Sequence, residues 1–185
     1  VASKGRRPWF LVVALVGGWL FGAQGLVNGC TLISYYKDDH VMEPQPGDEG
    51  HEADFARLEP WKKALDGAKN RVFPLSAATL VLGGAMVVFA ARAMGGRPRA
   101  RDALIQIACV QAAVSILMYV MTPDVRAAED QVERDAGYGA VFRRYAPPTL
   151  LGLRTLASAL IVLALTRPRA RAYFDPSKLG SVSER

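Results

Sequence analysis

The sequence predicts an all-α integral membrane protein, a four-transmembrane-helix bundle with short amphipathic helices in its two outer loops. Four stretches, Trp9 to Val27, Val72 to Ala91, Ala103 to Met121 and Pro148 to Leu165, are long and apolar. Each comes close to the roughly 20 residues that cross a hydrocarbon core of about 30 Å at about 1.5 Å per residue. Ionisable side chains are nearly absent inside them. A bilayer demands this, because an unpaired charge at its centre costs about 2.5 to 3.5 kcal/mol on insertion scales. Charge also alternates in sign between the segments, which sets an orientation.

The averages conceal that segregation: the 185 residues are 51% hydrophobic and 22% charged, with a formal charge of +6 and a mean hydropathy of +0.12. Basic residues crowd three stretches, around Lys4, Arg6 and Arg7, then Arg92 to Arg101, then Arg167 to Arg185. The outer loops, 29–71 and 122–147, carry acids such as Asp38, Asp39, Glu43, Asp48, Glu49, Glu129, Asp130 and Glu133. The positive-inside rule then puts both termini, the inner loop 92–102 and the tail 166–185 in the cytoplasm, in a bacterial inner (plasma) membrane. Spread over three flanks, the excess of Arg and Lys suits anionic lipid headgroups on the inner side and not nucleic acid.

Along the first segment, Ala14, Gly18, Gly22, Gly25 and Gly29 recur at steps of four, four, three and four. They form one small-residue face, which lets a neighbouring helix approach closely where lipid offers no hydrophobic drive for association. In the loop that follows, Asp38 to Gly50 is rich in Pro, Gly and acids and reads as irregular. From Glu52 onward, Phe55, Leu58, Trp61, Leu65 and Ala68 return every three or four residues, the period of an amphipathic helix. The second outer loop repeats the pattern with Val125, Ala128 and Val132 before Gly137 and Gly139 break it. Tyr35, Tyr36, Tyr119, Tyr138, Phe142 and Tyr145 cluster at segment ends, where an interfacial aromatic belt belongs.

The fourth segment contains the one charge well inside an apolar run, Arg154. At that depth a guanidinium snorkels or is paired. Gln24 and Asn28 of the first segment, Ser76 and Thr79 of the second, and Gln111, Ser115 and Tyr119 of the third are expected in the same half of the bilayer. A polar site around Arg154, built with Gln24, Asn28, Gln111 and Ser115, is the best candidate.

The pentapeptide Arg97-Pro98-Arg99-Ala100-Arg101 recurs as Arg167-Pro168-Arg169-Ala170-Arg171. A duplication would give two parallel halves; otherwise both copies are basic, proline-broken flanks that stop helices and grip lipid. On the second account the six arginines, Arg97, Arg99, Arg101, Arg167, Arg169 and Arg171, are the anionic-lipid contacts.

Of the two cysteines, Cys109 reads as a small packing residue. Cys30 ends Val27-Asn28-Gly29-Cys30 after basic residues and an apolar run, which resembles a bacterial lipoprotein signal, although Asn28 departs from its small or apolar residue. His40 and His51 stand among loop carboxylates, with His51 and Asp54 spaced for one helical turn, but no strong ligand motif accompanies them. No His, Asp or Glu falls within a segment, and neither a Cys-x-x-Cys nor a phosphate-binding glycine loop occurs. Neither catalysis nor a metal or cofactor is therefore expected. The leading expectation is an accessory, scaffold or assembly subunit that packs against partner helices, from other subunits or from itself, through its glycine face. The alternative is a small oligomeric transporter or channel with its polar site at Arg154.

Overall fold

A computed structural model describes residues 8–37 and 52–174, and among these the chain is almost entirely helical. In order the helices are α1 (Trp9–Lys37), α2 (Glu52–Gly67), α3 (Lys69–Met94), α4 (Pro98–Met121), α5 (Pro123–Asp135), α6 (Ala140–Thr166) and α7 (Pro168–Phe174). Four of them, α1, α3, α4 and α6, are long and apolar enough to cross a membrane. Their outward surface agrees: Val13, Leu20, Val27, Val81, Val88, Val120, Leu153, Leu160 and Leu163 are all exposed. So extensive an apolar exterior suits lipid and not water.

The long helices form a ring in which α1 packs on α3, α3 on α4, α4 on α6 and α6 back on α1. The ring has two unlike ends. At one, the basic pentapeptides and α7 gather around a core of Leu11, Leu15, Met86, Leu104, Ile161, Leu165 and Phe174. At the other, α2 packs against α5 as a cap, with Leu65, Ala68 and Val72 buried among Leu32, Tyr36, Trp61, Met118 and Val125.

Gly22, Gly25 and Gly29 of α1 meet α3, Gly18 meets side chains of both α6 and α3, and Ala14 lines the seam between α1 and α6. All five, Ala14, Gly18, Gly22, Gly25 and Gly29, are buried. A Cβ on Gly22 would stand 2.8 Å from the Gly83 carbonyl oxygen, and one on Gly29 would stand 2.8 Å from the Leu80 amide nitrogen. The contact is reciprocal, since a Cβ on Gly83 would lie 2.7 Å from the Gly22 carbonyl oxygen. Two antiparallel backbones therefore touch at Gly22 and Gly83. Gly18 is different: the nearest atoms to its added Cβ are side-chain atoms at 3.8 Å or more. The spacing left open whether this face meets a helix of the same chain or of another subunit; at Gly22, Gly25 and Gly29 the neighbour is α3 of the same chain.

Several boundaries differ from the hydropathy pattern. Helix α1 continues unbroken through Cys30 to Lys37, well past Val27, and at about 1.5 Å per residue it exceeds a hydrocarbon core of about 30 Å. Its last turn reaches the cap, where the Tyr36 hydroxyl donates to the Leu65 carbonyl at 2.9 Å. Helix α6 starts at Ala140, so Pro147 and Pro148 lie inside it and not at its entrance. The pentapeptides open helices: Arg97 is extended and Pro98 is the first residue of α4, while Arg167 is extended and Pro168 is the first residue of α7. Proline is suited to that position, since its missing N–H would have no partner there. Cys109 is exposed, not packed inside. The His40 and His51 cluster lies outside the described residues.

The cap is tied to the ring by charge. Arg71 of α3 donates to the Met121 carbonyl at 2.8 Å and pairs with Asp124 at the start of α5. Desolvation pulls the Asp124 carboxyl upward, but hydrogen bonds from Arg71 and from the Val125 and Asp124 amides, with the Arg71 charge, outweigh it and hold the pKa below its ordinary value. A carboxyl depressed in the folded state contributes stability above its unfolded pKa of about 3.9 and loses that contribution as pH falls through the folded value. Amide protection of α5, corrected for intrinsic exchange, should therefore fall in the wild type only below about pH 4. In Asp124→Asn it should be low at every pH, and an unchanged pH profile in that variant would exclude the pair as the tether.

Candidate functional site

Between the two cores, in the capped half, lies an open-sided cavity of about 510 Å³ lined by residues of α1 through α6. Gln24 and Asn28 of α1, Gln111 and Ser115 of α4 and Arg154 of α6 all line it, as do Ser76, Thr79 and Tyr119. The polar residues scattered over four apolar segments thus share one space.

The deep wall is built for accepting hydrogen bonds. Hydroxyls on helices can donate to the carbonyl one turn back, and here Ser76 donates to Val72 at 2.8 Å, Thr79 to Leu75 at 2.8 Å, Ser115 to Gln111 at 2.9 Å and Thr122 to Met118 at 2.7 Å. With each proton committed, these oxygens turn only lone pairs to the cavity. Gln111 adds another acceptor. It is 4% exposed, and among the described residues its Oε1 has no hydrogen-bond partner. Glycine at position 25 leaves room for this amide, since a Cβ there would lie 3.4 Å from the Gln111 Nε2.

Donors come from two guanidinium groups. Arg154 is half-buried, lines the cavity, and among the described residues makes no hydrogen bond or ion pair. Its planar fork of N–H donors is therefore open to the cavity. Arg126 of α5 lies 3.7 Å above the Tyr119 ring, and its buried Nε likewise lacks a partner. Beside it Glu129 and Glu133 line the mouth. Glu129 is exposed, yet neighbouring protein desolvates its carboxyl and raises its pKa, and the Glu133 carboxylate raises it further. A guanidinium unpaired among the described residues, in a pocket walled by acceptors, is chemically matched to a molecule with an anionic group and donors of its own.

Sequence spacing missed the contribution of the cap. Arg126, Glu129 and Glu133 follow at steps of three and four on α5, which alone reads as a solvated charged stripe; α2 and the long helices turn it toward the cavity. The six basic candidates also separate. Arg97, Arg99, Arg167, Arg169 and Arg171 are exposed. The Arg101 side chain is 17% exposed, and its Nε donates to the Leu165 carbonyl at 3.1 Å. Arg101 thus satisfies a carbonyl near the end of α6, and its guanidinium also lies 3.4 Å from the Asp102 carboxylate. Among the described residues, no three His, Cys, Asp or Glu side chains gather as a metal site would require. Comparison with protein-family models, curated proteins and solved structures finds no match for the chain.

Proposed function

We propose that this chain is an integral membrane protein of a bacterial inner membrane that binds a small or amphiphilic molecule carrying an anionic group, held by Arg154 in the cavity of its capped half. The observation that carries this is the guanidinium of Arg154, unpaired among the described residues, lining the same cavity as the Gln111 Oε1 that has no partner among them. A bare charge at membrane depth is costly, and residues kept there against that cost mark ligand or ion pathways. The role proposed is binding or passage. An accessory-subunit role is the second reading, and because Gly22, Gly25 and Gly29 pack on α3 of the same chain, it would use another surface. The arginine-rich end lies in the cytoplasm and the cap outside, as supported by the distribution of Arg and Lys.

Two measurements test this. The full chain purified from native membranes, extracted into organic solvent and analysed by mass spectrometry should yield an anionic molecule that is depleted in Arg154→Leu. Equal recovery from both proteins would refute binding at Arg154. In a background lacking Cys30 and Cys109, an impermeant thiol reagent should label Ser34→Cys from outside intact cells and leave Ser177→Cys unlabelled. The reverse pattern would invert the orientation.

A further inference from the structure

A second space lies along the seam between α1 and α6 at the arginine-rich end, an apolar groove of about 1080 Å³. Small residues open it. Gly17 of α1 lies on one side and Ala157 and Ala164 of α6 on the other, with Val13 and Leu160 lining its length. A Cβ placed on Gly17 meets nothing within 4 Å, so the space there is unfilled. At the end of the groove the lining changes from hydrocarbon to guanidinium, where Arg167 and Arg169 are exposed. Arg167 stands 5.3 Å above the Phe10 ring, an attraction that holds the charge at the groove's end.

An apolar slot ending in two cations has the polarity of a lipid with an anionic headgroup. The other copy of the pentapeptide presents the same combination on a smaller scale, with Arg97, Pro98 and Arg99 beside Phe89 around a cavity of about 540 Å³. We infer that the α1–α6 groove retains one anionic glycerophospholipid, with an acyl chain along Gly17 and Ala157 and its phosphate held by Arg167 and Arg169. This site is separate from the Arg154 cavity and does not depend on what that cavity binds.

The test is native mass spectrometry of the full chain in detergent with phosphatidylglycerol or phosphatidylcholine of identical acyl chains. Each arginine near an anionic lipid contributes a factor of about five, so two predict retention of phosphatidylglycerol at about 25-fold lower concentration than phosphatidylcholine. Arg167→Ala/Arg169→Ala should remove one phosphatidylglycerol from the retained set. Gly17→Leu, for which the fold has room, should fill the groove and weaken retention of both lipids. Unchanged phosphatidylglycerol stoichiometry in the double variant, or unchanged retention in Gly17→Leu, would overturn the assignment. So would a wild-type dimer that Gly17→Leu disperses, because a second copy of the chain would then occupy the groove.

Discussion

Gly22→Ala should destabilise the bundle by about 1 to 3 kcal/mol, the usual cost of forcing an extra carbon into a closed contact, and Gly22→Leu should prevent assembly. The new Cβ would sit 2.8 Å from the Gly83 carbonyl oxygen and 3.0 Å from the Val87 amide nitrogen. Neither neighbour can move aside as a flexible side chain would, since both belong to the backbone of α3. Gly83→Ala should be equally damaging, because it meets the Gly22 carbonyl from the other side. Gly18→Ala is the control. Its nearest neighbours are 3.8 Å away, so it should be neutral, or stabilising by up to about 1 kcal/mol through the better helix propensity of Ala. Thermal unfolding of the four variants in one detergent measures the series. If Gly18→Ala and Gly22→Ala unfold together, the α1–α3 crossing is not where these backbones meet.

The second large effect is an opposition between stability and binding at Arg154. Arg154→Leu should raise the unfolding temperature of the ligand-free protein, because it removes an unpaired charge whose burial costs about 2.5 to 3.5 kcal/mol on insertion scales. The same substitution should abolish capture of the anionic molecule. Arg154→Lys keeps the charge and loses the planar donor fork, so binding should weaken by at least about 10-fold, as expected when a charge-assisted hydrogen bond of about 1.5 to 3 kcal/mol is lost. Gln111→Leu should behave like a milder Arg154→Leu, since it removes an orphaned acceptor from the same wall. Ligand-dependent thermal shifts of the four proteins read both effects. An Arg154→Leu protein that loses stability without ligand would mean that the guanidinium supports the fold.

The corrections share a physical origin. Hydropathy locates the part of a helix that lipid would surround, but helices end where capping and turn chemistry end them. So α1 runs on to Lys37 and α6 begins at Ala140 before its two prolines. The spacing of Ala14, Gly18, Gly22, Gly25 and Gly29 marks a close-packing face, but it does not say which helix fills it. Gly83, the other half of the contact, follows Ser76 and Thr79 at steps of seven and four and is doubled by Gly84, a shorter small-residue signal on α3. Likewise, two copies of one basic pentapeptide place five arginines outward and turn Arg101 back to a carbonyl.

What the sequence determined by itself was the membrane-suited helical class, since apolar length and the exclusion of charge are properties of each segment alone. It also marked Arg154, Gln24, Asn28, Gln111 and Ser115, because polar groups in an apolar run stand out wherever they sit. Only the tertiary structure decided that these residues line one cavity, that α3 covers Gly22, Gly25 and Gly29, and that Arg126, Glu129 and Glu133 of the cap join the site. Those are relations between helices distant in sequence. They depend on which faces meet when the ring closes, and a one-dimensional pattern records the faces without recording their partners.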